Sequence, residues 1–145
     1  MKQIVEFIKE HHLLSLSTCR DNLPYSASCF YAFDESSFTF IIASDASTKH
    51  MNNLHVNPNY AATIALETQN IGKIRGLQFQ GVIKKATPQD KRLYFKTFPY
   101  ALAMNPTLWT LCVEYLKFTD NRLGFGKKLI YKKEKNGVNL TPCDC

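Results

Sequence analysis

The sequence predicts a mainly β domain whose six or seven short antiparallel strands close, or nearly close, into a barrel. Short runs of β-branched and aromatic residues recur along the chain, tight turn signals separate them, and few segments have helical periodicity. With 145 residues, 45% hydrophobic and 21% charged, the chain suits one domain with a proper core and is too apolar for disorder.

Residues 3–11 place Ile4, Phe7 and Ile8 on one face of an amphipathic helix. Residues 13–19 read as the first strand, and Arg20, Asp21, Asn22, Leu23 and Pro24 as a turn. Residues 25–33 form the second strand, 34–37 a tight connection and 38–44 the third strand, which completes a meander. A helix over 48–56 is stopped by Asn57, Pro58 and Asn59. Residues 60–67 and 73–85 read as strands four and five. Thr87 and Pro88 open another helix as cap and first residue, with Leu93, Tyr94 and Phe98 on one side. A short helical piece reaches Met104, and Asn105-Pro106 breaks it. Strands over 107–119 and 127–133 complete a single domain, 1–133, and residues 134–145 are expected to form a loose C-terminal tail.

The bulk numbers exclude several classes. The longest apolar runs, 29–33 and 38–43, are far too short to span a bilayer. The opening MKQIVEFIKEHH lacks the apolar region and small-residue cleavage site of a secretory signal, so a cytoplasmic location is expected. Cys19, Cys29, Cys112, Cys143 and Cys145 show no CxxC pairing and read as free thiols, with no metal site. The net charge of +6 is uneven: residues 1–70 carry 4 Lys+Arg against 7 Asp+Glu, and residues 71–145 carry 14 against 5. A basic half suits a phosphorylated ligand or nucleic acid. However, the doublets Lys84-Lys85, Lys127-Lys128 and Lys132-Lys133 split their charge between two strand faces, so nucleic acid is not the expected partner.

The most informative stretch is SDASTKHMNNL at residues 44–54. A strand ends where it begins, Asp45 and Ser47 are good caps, and a helix is expected to start at Thr48. Its first turn offers N–H groups, a positive dipole end, two hydroxyls and the Lys49 ammonium to one point, a small anion site suited to phosphate. An ordinary capped helix with a solvated lysine accounts for the same residues. On the second strand Tyr25, Ala27, Cys29, Tyr31 and Phe33 share the face that suits the core. Ser26, Ser28, Phe30 and Ala32 share the other, where a flat ring could lie against backbone N–H and C=O groups.

On the fifth strand Leu77 and Phe79 face one way, and Gly76, Gln78 and Gln80 the other. Gly81 marks a bulge or a close approach. Trp109, Leu111, Val113 and Tyr115 share a face of the sixth strand, most simply barrel core, with ligand stacking by Trp109 as the alternative. The chain contains no GxSxG, HExxH or P-loop, so catalytic residues are not assigned. His50 is a candidate acid–base group beside the anion site.

The order of these features resembles the FMN-binding split barrels related to pyridoxamine 5′-phosphate oxidase: a meander, Ser47-Thr48-Lys49 after the third strand, Asn53-Leu54, and RGLQFQG at 75–81. With KFTDNRLGFGKK at 117–128 it is similar to a small bacterial branch of that superfamily, over residues 4–133. The resemblance implies a homodimer with two FMN molecules in clefts between the subunits. It implies that Ser44, Ser47, Thr48 and Lys49 hold the flavin phosphate and that the ring lies along Ser28, Cys29, Phe30 and Tyr31. Gln78 and Trp109 would approach the flavin from later strands.

The implied activity is flavin-dependent oxidoreduction of a small molecule whose identity stays open, the cofactor supplying the redox chemistry. The oxidase itself sets an arginine–lysine pair at the phosphate. Thr48-Lys49 here is one cation fewer, a loss of roughly 1–3 kcal/mol of binding if nothing replaces it. No basic set matches the oxidase's pyridoxal site, so pyridoxamine phosphate oxidation is not implied. Two alternatives stay open. One is a haem-binding split barrel with His50 or His55 as axial ligand; the other is a non-enzymatic flavin- or nucleic-acid-binding module.

Overall fold

The computed structural model describes residues 1–125 and 127–133 in full, and 134 and 137–143 as backbone. Gly126 and Cys145, and the side chain of Cys143, lie outside the described residues. The elements follow the order α1 (Lys2–Glu10), β1 (Leu13–Arg20), β2 (Leu23–Asp34), β3 (Thr39–Ala43), α2 (Lys49–Val56), β4 (Asn59–Ala65), β5 (Arg75–Lys85), α3 (Pro88–Thr97), β6 (Leu108–Asp120), β7 (Lys128–Glu134) and β8 (Gly137–Cys143). Single 3₁₀ turns lie at Ile71–Lys73 and Asn121–Leu123, and a longer one at Pro99–Met104. No helix among the described residues is long and apolar enough to cross a membrane.

Every strand pairing is antiparallel. The order β3-β2-β1-β4-β5-β6 closes when β6 pairs back onto β3, giving a six-stranded barrel, and β7 and β8 extend the sheet beyond β6. The expected count of six or seven strands therefore holds for the barrel and β7. The segment expected to be a loose tail instead pairs along β7, Lys128 opposite Cys143 and Glu134 opposite Gly137. Val138 and Leu140 alternate with Asn139 and Thr141, the period of a strand, and Pro142 suits an outermost edge.

Local chemistry explains the joints. Asp21 and Asn22 form a two-residue hairpin loop with φ of 52° and 62°, a left-handed pair that Asp and Asn tolerate better than most residues. Thr87 caps α3 in a full capping box: the Asp90 N–H donates to the Thr87 hydroxyl, and the Thr87 N–H to the Asp90 carboxylate. The Thr110 hydroxyl also donates to that carboxylate at 2.9 Å, pinning α3 to the outside of β6. Burial alone would raise the Asp90 pKa. The bonds from Thr87 and Thr110, with Lys84 nearby, outweigh it and hold the group below the usual carboxylate range.

The interior is filled with rings. Phe40 stacks on Phe79 at 4.6 Å between centroids, and Tyr31 meets Phe40 edge-on. α1 closes one end with Ile4, Phe7 and Ile8, Phe7 touching Phe118, while the Tyr31 hydroxyl donates to the Ile8 carbonyl. α2 covers the other end with Met51 and Leu54. A smaller apolar cluster of Ala32, Ile41, Tyr94 and Leu108 lies outside the wall, under α3.

Tyr115 departs from the sequence expectation. Between Gln80 and Gly81 the β5–β6 register shifts, so that Gln80 faces Tyr115, Gly81 faces Val113, and Glu114 is the extra residue. Trp109, Leu111 and Val113 are buried as expected, but past the bulge the phase inverts. Leu116 and Phe118 enter the core and Tyr115 turns outward, half-buried. The glycine is required there, since a Cβ at Gly81 would stand 1.8 Å from the Cys112 carbonyl oxygen. Gly81→Ala is expected to lower the unfolding free energy by roughly 1–3 kcal/mol, and Phe7→Ala by roughly 3–5 kcal/mol. Both should appear as lower urea midpoints with little change in slope.

Candidate functional site

β2 has twelve residues and its neighbour β3 has five. Pairing between them runs from Asp34 opposite Thr39 to Tyr31 opposite Ile42 and stops there. The Tyr31 N–H donates to the His12 carbonyl on the β1 side. Alternation along an antiparallel ladder then sends the N–H and C=O groups of Ser28 and Ser26 to the opposite side, where β3 has ended. Among the described residues no backbone hydrogen bond meets them. Next to them the side chain of Phe30 is 55% exposed, in contact with His12 on one side and Phe98 on the other.

The turn from β3 into α2 lies at this gap. Its N-cap is Thr48 rather than the expected Asp45 or Ser47, and the helix starts at Lys49, one residue later than expected. Asp45 instead builds a turn, its Oδ1 accepting the Ser47 N–H at 2.7 Å and the Ser47 hydroxyl at 2.6 Å. These bonds hold the exposed Asp45 carboxyl below its ordinary pKa. The two hydroxyls and one ammonium expected at one point are thus placed apart: Ser47 is engaged by Asp45, and the Lys49 ammonium lies 4.7 Å from the centre of the Tyr25 ring. Lys49 lines a shallow groove of about 210 Å³ with Arg20, Asp21, Pro24, Tyr25 and Asn53.

A different set converges. The His50 Nε2 lies 2.5 Å from the Ser44 hydroxyl and 3.3 Å from the Thr48 hydroxyl, and the two hydroxyls are 3.5 Å apart. Ser44 is held at both backbone groups, its N–H donating to the Thr107 carbonyl and its carbonyl accepting the Trp109 indole N–H at 2.8 Å. Burial pushes the His50 pKa down, so the ring is neutral near pH 7. The N–H groups of Lys49 and His50, first on the helix, carry no bond among the described residues. His50 stands out in the sequence but its partner does not, because a contact six residues back depends on how sharply the turn folds.

The remaining expected site residues are dispersed. Cys29 and Tyr31 face the core, where burial pushes both pKa values up, and their peptide groups point toward β1. Trp109 is buried with its N–H spent on Ser44, and it meets His55 edge-on. Gln78 lies on β5, opposite β2 in the six-stranded ring, in a groove shared with Ser17, Ala61, Thr63, Gln80 and Tyr115.

A second polar cluster, absent from the sequence reading, lies at the α1 end. Asp120 accepts the Arg122 guanidinium through both carboxylate oxygens at 3.0 and 2.8 Å, and Arg75 reaches Glu10 at 3.0 Å over the Phe7 ring. The Arg122 bonds, side chain first, hold the Asp120 carboxyl below the usual range. This gives part of the 117–128 string a structural task, fixing the turn after β6.

A sequence profile of the pyridoxamine 5′-phosphate oxidase family matches residues 1–107. The chain belongs to that family. A UPF0306 protein of Campylobacter jejuni is 40% identical over 134 residues, which are 91% of this chain and 98% of the relative. A UPF0306 protein of Photorhabdus laumondii is 34% identical over 90% of this chain and 94% of its own. Among solved structures, a pyridoxamine 5′-phosphate oxidase-related, FMN-binding protein from Nostoc punctiforme superposes with a TM-score of 0.71 at 11% identity, covering 99% of this chain and 96% of that one. A haem-binding protein from Mycobacterium smegmatis gives 0.72 at 12% identity over 87% of this chain, which spans only 55% of that protein. At such identities the likeness establishes the split-barrel fold and nothing finer.

Within this split barrel the Trp109–Ser44 bond joins the candidate pocket to the core. Trp109→Phe is expected to leave the half-buried Ser44 carbonyl without its donor and to cost roughly 0.5–1.5 kcal/mol of stability in urea denaturation.

Proposed function

We propose that this split barrel binds FMN between two copies of the chain and uses it for redox chemistry on a small molecule. The observation that carries this reading is the open edge of β2 beside the Ser44–Thr48–His50 pocket. Free peptide groups at Ser26 and Ser28 suit the hydrogen-bonding edge of a flavin ring, and exposed Phe30 offers a face for packing against it. At the end of that edge, the Ser44 hydroxyl and the first N–H groups of α2 suit a phosphate, while the Thr48 hydroxyl donates to the Asp45 carbonyl and caps the helix; Ser47 and Lys49 stand at the same turn. The donor set fits a ring with a phosphorylated tail. The exposed Asp45 carboxylate opposes an anion, but Ser47 engages one of its oxygens. Bound flavin would supply hydride or single-electron transfer. The chain would orient the ring, anchor the tail and exclude water.

The position of Gln78 supports a second copy. The outer wall across β2, β1, β4 and β5 presents Ser26, Ser28, Ser15, Ser17, Ala61, Thr63, Gln78 and Gln80 in register, with no charged residue in those rows. Depletion of charge marks the centre of interfaces. Since β5 lies opposite β2 in the ring, Gln78 can join a flavin on β2 only from another subunit. Ala61→Arg is expected to convert a dimer to a monomer in light scattering coupled to size exclusion.

Haem is the second reading. Two imidazoles stand free of side-chain hydrogen bonds among the described residues: His55, edge-on to Trp109, and His12, stacked on exposed Phe30. Titration decides between the ligands. FMN fluorescence should be quenched with micromolar affinity, and Lys49→Ala should weaken this roughly tenfold with an unchanged unfolding transition. Haemin should give no Soret shift that depends on either histidine; a shift lost in His12→Ala or His55→Ala, with no FMN quenching, would replace flavin by haem.

A further inference from the structure

Lys49 is the one Lys or Arg between Ser44 and Leu54, and its ammonium lies over the Tyr25 ring. We propose that His50 is the second cation of this pocket, taking a proton from solvent as the flavin phosphate binds and donating to it from Nε2. The inference rests on the FMN reading above and assigns a binding role to a residue outside the expected phosphate set.

Geometry aims the ring at the pocket. His50 Nε2, Ser44 Oγ and Thr48 Oγ1 form a triangle no wider than 3.5 Å, at the mouth of the α2 dipole. Ser44 cannot retreat, because Thr107 and Trp109 hold its backbone on both sides. While the imidazole is neutral, Nε2 accepts the Ser44 hydroxyl proton. When a phosphate arrives, the hydroxyl is released to donate to it, and the protonated Nε2 becomes a second, charged donor. The exchange moves one proton from water to the ring and breaks no covalent bond.

The charged and titratable groups nearby do not already fill this role. They are Asp45 in the turn, Lys49 and His55 on α2, and Lys85 opposite Trp109 on β5, and none pairs with the His50 ring. Burial alone sets its low pKa in the free protein. A dianion within hydrogen-bond reach reverses the balance, since opposite charge favours the protonated ring.

The sign of the pH effect follows. The histidine pKa is depressed in the free protein and raised in the complex, so binding takes up a proton and is tightest at the acidic end of the window between the two values. The phosphate's own second ionisation, near pH 6, works in the opposite direction by enriching the dianion as pH rises. It cannot imitate the effect.

The experiment measures FMN affinity by fluorescence quenching at pH 6.5 and 8.5, with riboflavin as the ligand lacking phosphate. For the unsubstituted chain we expect FMN binding roughly tenfold weaker at pH 8.5, and riboflavin binding independent of pH. His50→Gln, which keeps a hydrogen-bonding side chain but cannot titrate, should bind FMN equally at both pH values and match the unsubstituted chain only at pH 8.5. Calorimetry of the unsubstituted chain at pH 7.5, in two buffers of different ionisation enthalpy, should show proton uptake with FMN and none with riboflavin; this readout needs no variant. FMN binding without pH dependence or proton uptake overturns the role of His50 while leaving the flavin reading standing, as does a pH dependence that survives in His50→Gln. Absence of FMN binding at both pH values overturns the two together.

Discussion

The mismatch between a twelve-residue β2 and a five-residue β3 governs this molecule. Closure of the barrel needs only the stretch where β3 bridges β2 and β6. Below it, β2 runs on with one edge unpaired, and a strand edge left open is normally a hazard to be covered or blunted. Here α2 and its entering turn are set beside the opening. Peptide groups, hydroxyls, an imidazole and a helix N-terminus meet in one place because the chain must turn there.

The gap is kept in shape by interactions that reach into the core. Trp109 packs with the barrel residues and gives its N–H to the carbonyl of Ser44, the first residue after β3. On α2, Asn53 donates to the Thr18 hydroxyl and Asn57 to the Cys19 carbonyl, fixing the helix against the β1–β2 hairpin. These contacts place the pocket on the rigid wall while leaving its polar atoms outward, the arrangement recognition of a small anion requires. The bulge at Glu114 serves the outer wall similarly, since it turns Tyr115 away from the core and toward Gln80.

Much of the fold was legible because the signals were local. Alternation along β1, β4 and β5, the Asp21-Asn22 hairpin, the Thr87-Pro88 cap and the Gly81 irregularity each depend on residues close in sequence, and the structure contains all of them. Tyr115 was misplaced because the extra residue at Glu114 inverts a period-two pattern, and only pairing with β5 reveals it. β8 is hard to read from the sequence because its alternation is short and runs into Pro142. At the site, the turn was recognisable but its wiring was not. Asp45 competes for the Ser47 hydroxyl, Lys49 lies over Tyr25, and Ser44 finds His50 only once the turn has closed. The link from Ser44 to Trp109 spans 65 positions and has no local signature.

The filled interior sets the terms on which such a protein keeps company with a small molecule. With Phe7, Phe40, Phe79 and Phe118 packed inside, nothing within the wall has to part for a guest to come or go. Loading therefore asks for no breathing of the barrel. On the proposed pairing of two copies, residence time would be decided at the seam between them, and the share of molecules carrying a guest would rise and fall with supply.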